Sequence, residues 1–138
     1  MAAPHKFNCF SKDLADKKHN FGSDTFKIML SNTAPIASNA VNTDITEITA
    51  GSGYSAGGAA TTLTESTAAG TYKVVGSTVV FTASGGSVGP FRYAVLYNDT
   101  SATNALICWW DNGDPITLAS GEAFTVVFDA TNGILQIA

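Results

Sequence analysis

Alternation of apolar and polar positions carries most of the information in this chain. Residues 24–30, DTFKIML, place Phe26, Ile28 and Leu30 on one side and form the first clear strand. Residues 85–99, GGSVGPFRYAVLYND, are a glycine-proline turn feeding a longer run. Phe91, Tyr93, Val95 and Tyr97 fall on one face and Arg92, Ala94, Leu96 and Asn98 on the other. Both faces are largely apolar, which predicts a strand in the middle of a sheet. After Ala59 nearly every segment reads as β: ATTLTEST, TYKVVGSTVVFTA with a break near Gly76, NALICWWD, PITLAS, EAFTVVFD and GILQIA, with Gly-, Ser- and Asn-rich turns between them. Turn signals spaced by roughly 8 to 12 residues predict an all-β fold, an antiparallel β-sandwich with the jelly roll among its forms. Phe124, Val126 and Phe128 are expected in the same core as Phe26 and Val80, and GILQIA is expected to pair into the sheet.

The first 22 residues follow another period. Phe7, Phe10, Leu14, Lys17 or Lys18, and Phe21 have the spacing of one helical face, with Ser11 as a candidate N-cap and Gly22 as a stop. The expected organisation is a short helix or arm over residues 1–22 and a single β-sandwich domain over residues 23–138. The phenylalanines of the arm either close one end of the domain's core or dock on a partner. Residues 31–58 lose regularity, and a loop of that length is expected to be interfacial or functional. Its Gly51, Gly53, Gly57 and Gly58 lack the lysine and the following helix of a phosphate-binding loop.

Composition changes this picture in one respect. Charged residues are 13% of the 138, about half the usual share, and small residues and threonine take their place. Such a surface loses little hydration when a neighbour covers it, which favours a component of an assembly. The charge is also uneven: residues 1–30 carry net +2 and residues 31–138 net −6, histidines aside. A basic arm on an acidic body suits contacts between neighbours. A net charge of −4 without a basic stripe argues against nucleic acid as a partner. No apolar run approaches the ~20 residues that cross a bilayer, and the start lacks the apolar centre of a secretory signal, so cytoplasmic folding without a membrane partner is expected.

Chemistry-bearing residues are sparse. Cys9 and Cys108 have no metal-ligand or redox spacing and read as free thiols packed as small hydrophobes. Asp111, Asn112, Gly113 and Asp114 lack the alternating oxygen ligands of a calcium loop, and Asn-Gly between alternating runs reads as a hairpin turn. Asp44 and Glu47 read as a cap and a solvated side chain. No Ser-His-Asp set, GxSxG or HExxH is present, so no catalytic, cofactor or metal residue is assigned and the chain is expected not to be an enzyme. The candidate interface residues are Phe7, Phe10, Lys17 and Lys18 in the arm, Tyr54 in the long loop, Arg92 among its aromatic neighbours, and Trp109 and Trp110. Of the two tryptophans, period two turns one inward and leaves the other as a subunit anchor, a sugar-stacking platform, or a ring covered by its own loop.

The stretches SDTFKIMLSNTAPIASNAVNTDITEITAGSGYSAGG, VVFTASGGSVGPFRYAVLYND, WWDNG and ITLASGEAFTVVFDATNGILQIA resemble a group of small virion structural proteins of tailed bacteriophages. The likeness covers about residues 23–138, and SGGSVGPFRYAVLYND is its most specific part. It implies a virion component, most simply a capsid decoration, or cement, protein that sits on the shell as an oligomer and braces major capsid protein subunits. The alternative is a tail, neck or fibre module that reads a host surface glycan through a tryptophan, and after it a tail-tube or baseplate connector.

Overall fold

Val95 and Leu96 are adjacent, so their side chains leave opposite faces of a strand, and neither is exposed to solvent. Their strand is therefore covered on both sides. A computed structural model describes residues 3–138. In chain order its elements are β1 (His5–Lys6), α1 (Cys9–Ala15), β2 (Phe26–Ser31), a 3₁₀ turn (Asn42–Asp44), β3 (Ala59–Thr61), β4 (Leu63–Ala68), β5 (Thr71–Gly76), β6 (Val79–Thr82), β7 (Val88–Asn98), β8 (Leu106–Leu118), β9 (Ala123–Val126) and β10 (Leu135–Ile137). The strands form three antiparallel sheets, ordered β1-β8-β7-β2-β3, β10-β5-β4 and β6-β9. This is an all-β, sandwich-like fold. A division into five, three and two does not by itself make the eight-stranded double sheet of a jelly roll.

β7 lies at the centre of the large sheet, as its two apolar faces require, with β2 and β8 on its flanks. On one face Ile28, Leu30, Ala94, Leu96 and Trp110 meet Val74 of β5, Val79 and Phe81 of β6, and Val126 and Phe128 near β9, so the two small sheets close over this side. On the other face Met29, Val95, Tyr97 and Leu106 meet Phe7 and Ile45 in a second, smaller core. Phe91 departs from its expected face. The β7–β8 register shifts between Phe91 and Tyr93, which turns the pleat over, and Phe91 joins Ala94 and Leu96 in the larger core.

That shift also revises the Asn-Gly turn. Asp111 pairs with Tyr93 and Ile116 with Phe91, so both flanks of the DNGD segment pair with β7 and not with each other. The segment is an outward excursion of one strand. The Asp111 carboxylate holds it in place, accepting the Gly113 N–H at 2.8 Å while also gripping Arg92 of β7. Val80 is corrected as well: period two along β6 buries Val79 and Phe81 and leaves Val80 exposed.

Two strands change sheets at corners. β3 passes into β4 through Thr62, and β5 into β6 through Ser77 and Thr78. Hydroxyls supply bonds the ladder would otherwise lose at this bend: Thr61 Oγ1 donates to the Ser77 carbonyl at 2.8 Å and Thr62 N–H donates to Ser77 Oγ at 2.9 Å. Between the corners β4 and β5 form a hairpin whose closing residues, Ala68 and Thr71, flank Ala69 (φ 51°) and Gly70 (φ 82°). Positive φ at both central residues is the two-residue turn that matches strand twist. β10 pairs with β5, as expected for GILQIA.

The helix starts and stops elsewhere than its sequence signals indicate. Asn8 occupies the N-cap, and Ser11 lies inside the helix. The end is set by Lys17 at φ 64°, with Lys17 N–H bonded to the Leu14 carbonyl and Lys18 N–H to that of Asp13. This is a left-handed cap made without glycine, so Gly22 is not the stop.

Candidate functional site

Four of the eight candidate interface residues belong to the chain's own interior. Phe7 and Phe10 are buried, in the smaller and the larger core respectively, so the arm's phenylalanines close the domain instead of projecting from it. Tyr54 is buried beside Phe81, with ring centroids 5.7 Å apart, and Trp110 is buried edge-on to Phe128 at 5.4 Å. None of these four is available as a surface anchor. Of the two lysines, Lys18 pairs with the buried Asp13 at 3.0 Å, and Lys17 is exposed at the helix cap.

The tryptophan pair splits as period two demands, and Trp109 is the outward one. It is half-buried, stacked on His5 at 5.1 Å and tilted against Phe7 at 4.5 Å, because β1 pairs with β8 and lays His5 directly opposite it. Arg92 reaches across to Asp111 in a two-pronged pair, Nε to Oδ1 at 2.7 Å and Nη2 to Oδ2 at 3.0 Å, and lies 5.4 Å from the Tyr93 ring centroid. The guanidinium, aided by the Gly113 N–H, holds the Asp111 carboxyl down at about 2. Tyr93, Trp109 and Asp111 share one face of β7 and β8, beside Arg92, and all four are half-buried. They form a small shelf of rings beside an ion pair, with part of the indole covered by His5.

The long loop wraps the chain's own sheet. Leu106 N–H bonds the Ala40 carbonyl, Asn42 N–H bonds that of Asn104, and Ile48 N–H bonds that of Leu30, while Ile45 plugs the smaller core. Asp44 is the cap expected of it, accepting from the N–H groups of Ala40 and Val41. Glu47 is not a free solvated side chain. Its Oε1 accepts from the Tyr54 hydroxyl at 2.7 Å and from Gly57 N–H at 2.6 Å, and the same tyrosine oxygen accepts Leu30 N–H at 3.0 Å. Burial is the main cause that pushes the Tyr54 hydroxyl far above its ordinary range, so it stays a donor to Glu47. The Tyr97 hydroxyl donates to the Gly57 carbonyl at 2.7 Å, and burial, then Asp99 and Glu47, push it up to about 12. Gly58 has φ +81°, and a Cβ there would overlap the Ile28 carbonyl oxygen. Gly58 thus serves close backbone approach to β2, and Gly53 makes a similar approach to the Thr82 carbonyl at the end of β6.

A second polar centre was not legible in the sequence. Asn98, fully buried at the end of β7, accepts the N–H groups of Thr100 and Ser101 on Oδ1. Its Nδ2 donates to Asp24 Oδ2 at 2.8 Å and faces His19 Nδ1 at 3.1 Å and the Lys18 carbonyl at 3.2 Å. Since the amide is the donor, His19 Nδ1 acts as acceptor and its proton sits on Nε2, which is buried without a partner. The ring packs among Phe10, Phe21 and Phe26, and burial lowers its pKa against the opposing pull of Asp13 and Asp24. This knot fastens the leading segment to the sheet.

Cys108 is fully buried, with its thiol pushed well above the ordinary range by burial alone, and Cys9 is raised for the same leading reason. Among the described residues no group of three His, Cys, Asp or Glu side chains is placed to hold a metal ion, and no helix is long and apolar enough to cross a membrane. No protein-family model matches this chain, and neither a curated protein nor a solved structure does.

Proposed function

We propose that this chain is a non-enzymatic structural protein of a tailed-bacteriophage virion, a decoration protein that binds the major capsid protein lattice. The observation that carries the reading is the character of the outer surface. The β4–β5 hairpin exposes Thr64, Ser66, Thr67, Ala68, Ala69 and Gly70 around the single carboxylate of Glu65, and Ile36, Val80, Val127 and Ile137 are exposed large apolar side chains elsewhere. Such a surface is covered at little desolvation cost. A protein that binds only the assembled lattice stabilises it by mass action. The resemblance of residues 23–138 to virion proteins points the same way.

Quantifying this chain against the major shell protein in purified particles tests the reading. Near-stoichiometric amounts, with particles lacking the chain rupturing at lower temperature, are expected. Absence from particles, or an unchanged rupture temperature, would sink it. A second reading, a tail, neck or fibre module that binds a host glycan, is favoured by the shelf of Tyr93 and Trp109 beside the Arg92–Asp111 pair. It predicts a few copies per particle and glycan-array binding that Trp109→Ala abolishes.

A further inference from the structure

β4 is the longest edge strand among the described residues, six residues against two for β1, three for β3 and β10, and four each for β6 and β9. Protein edges are ordinarily blunted by shortness, bulges, lysine or proline. Against pairing β4 sets one charged side chain, Glu65, and no lysine, proline or bulge. Its register with β5 runs unbroken from Leu63↔Gly76 to Ala68↔Thr71, and every residue from Thr64 to Ala68 is exposed.

The direction of its peptide groups follows from the ladder. Ser77 N–H donates to the Thr62 carbonyl, and Ala68 and Thr71 close a two-residue turn, so the even-numbered residues 62 to 68 form the hydrogen-bonded pairs with β5. Antiparallel ladders alternate, and the N–H and C=O groups of Leu63, Glu65 and Thr67 therefore point away from β5. Three donors and three acceptors stand in a row along an edge to which no strand is paired. The segment before β2 approaches only its Leu63–Glu65 end, where Gly22 lies against the Glu65 carboxylate.

We infer that β4 pairs antiparallel with β4 of a second copy of this chain, about a two-fold axis at Ser66. Charge and geometry select this register. An axis at Glu65 sets the two carboxylates directly opposite each other. An axis at Thr64 runs the second strand onto Thr61, beyond the corner at Thr62 where the edge turns into the large sheet. With the axis at Ser66, each Glu65 lies opposite Thr67 of the other copy and exchanges both peptide hydrogen bonds with it, and pairing stays within residues 63–69. Glu65 is the only charged side chain of β4, and its Oε1 already accepts the Tyr72 hydroxyl at 2.7 Å. The contact is isologous, so it closes as a dimer. It needs no virion and stands whether or not the virion reading does.

The test uses the full chain. Light scattering after size exclusion is expected to show a concentration-dependent dimer, lost in Glu65→Pro. That proline removes an outward N–H, a change edge strands tolerate, together with the carboxylate that accepts the Tyr72 hydroxyl. Glu65→Gln, which keeps the N–H and an acceptor, is therefore expected to stay dimeric, and an unchanged melting temperature is the folding control. In a Cys9→Ser background, Ser66→Cys sits at a pair that is not hydrogen-bonded, where side chains approach most closely. Mild oxidation is expected to link it across the two-fold far faster than it links Thr67→Cys. A protein that stays monomeric at every concentration, a dimer that survives Glu65→Pro, or equal cross-linking at 66 and 67 overturns the inference. So does a β4 edge found to pair only with a different protein.

Discussion

β7 and β4 are both antiparallel strands of this chain, yet they lie at opposite ends of what a strand experiences. β7 has a neighbour on each edge and a core on each face, and residues 94–98 are all buried. β4 has one neighbour, and five of its six residues are exposed. The difference lies in side-chain content: Ala94, Val95, Leu96 and Tyr97 have apolar surface to remove from water on both sides, whereas Thr64, Glu65, Ser66 and Thr67 have little on either. Stability is concentrated in the first region, and capacity for contact in the second.

The largest expected effects fall on the buried sheet. Leu96→Ala deletes a fully buried side chain beneath the small sheets and is expected to cost about 2–5 kcal/mol in chemical denaturation. A loss below 1 kcal/mol, on the order of a surface change, would break the contrast. Next is the loop that covers the other face. Tyr54→Phe leaves Leu30 N–H and Glu47 short of a partner and is expected to cost about 1–3 kcal/mol. Faster amide exchange at Leu30 and Gly57 would place the loss at the Tyr54–Glu47 junction.

The His19 knot sharpens the comparison through pH. Burial depresses the His19 pKa in the folded state, whereas the unfolded chain takes up its proton near the ordinary value of about 6.5. The unfolded state binds more protons, so stability is expected to fall as pH drops below about 6.5 and to go on falling until the lower folded value is passed. His19→Asn keeps an acceptor for the Asn98 amide but has no proton to gain. Melting curves between neutral and mildly acidic pH are expected to show a shallower slope for this variant; an unchanged slope would remove His19 from the account. The smallest effect belongs to the hairpin, where Thr64→Val is expected to shift stability by no more than about 0.5 kcal/mol.

How far these regions were legible in the sequence follows the same division. Period two placed β2 and β7 and put β7 at the centre, because two apolar faces leave a strand no other position. It separated Trp109 from Trp110 for the same reason. It misplaced Phe91 and Val80, since a bulge or a one-residue change in where a strand begins reverses every face beyond it. Asn112-Gly113 reads as a hairpin turn, but the segment lies within β8, and its return to β7 goes with Arg92 gripping Asp111, a contact between distant residues. The roles of Asn98, His19 and Glu47 were invisible for that reason too. Each depends on partners brought together by strand order, as in the bond from Asn98 to Asp24. The arm was readable as amphipathic, but its period does not say which apolar surface it meets, and that surface is the chain's own.

Amide hydrogen exchange, resolved by residue and run at low and high protein concentration, tests the contrast most directly. The account predicts that Val95 and Leu96 exchange only through global unfolding at both concentrations. Glu65 and Thr67 are predicted to exchange rapidly when dilute and to gain protection when concentrated. Slow exchange at Glu65 and Thr67 in dilute protein, or fast exchange at Val95 and Leu96, would contradict it.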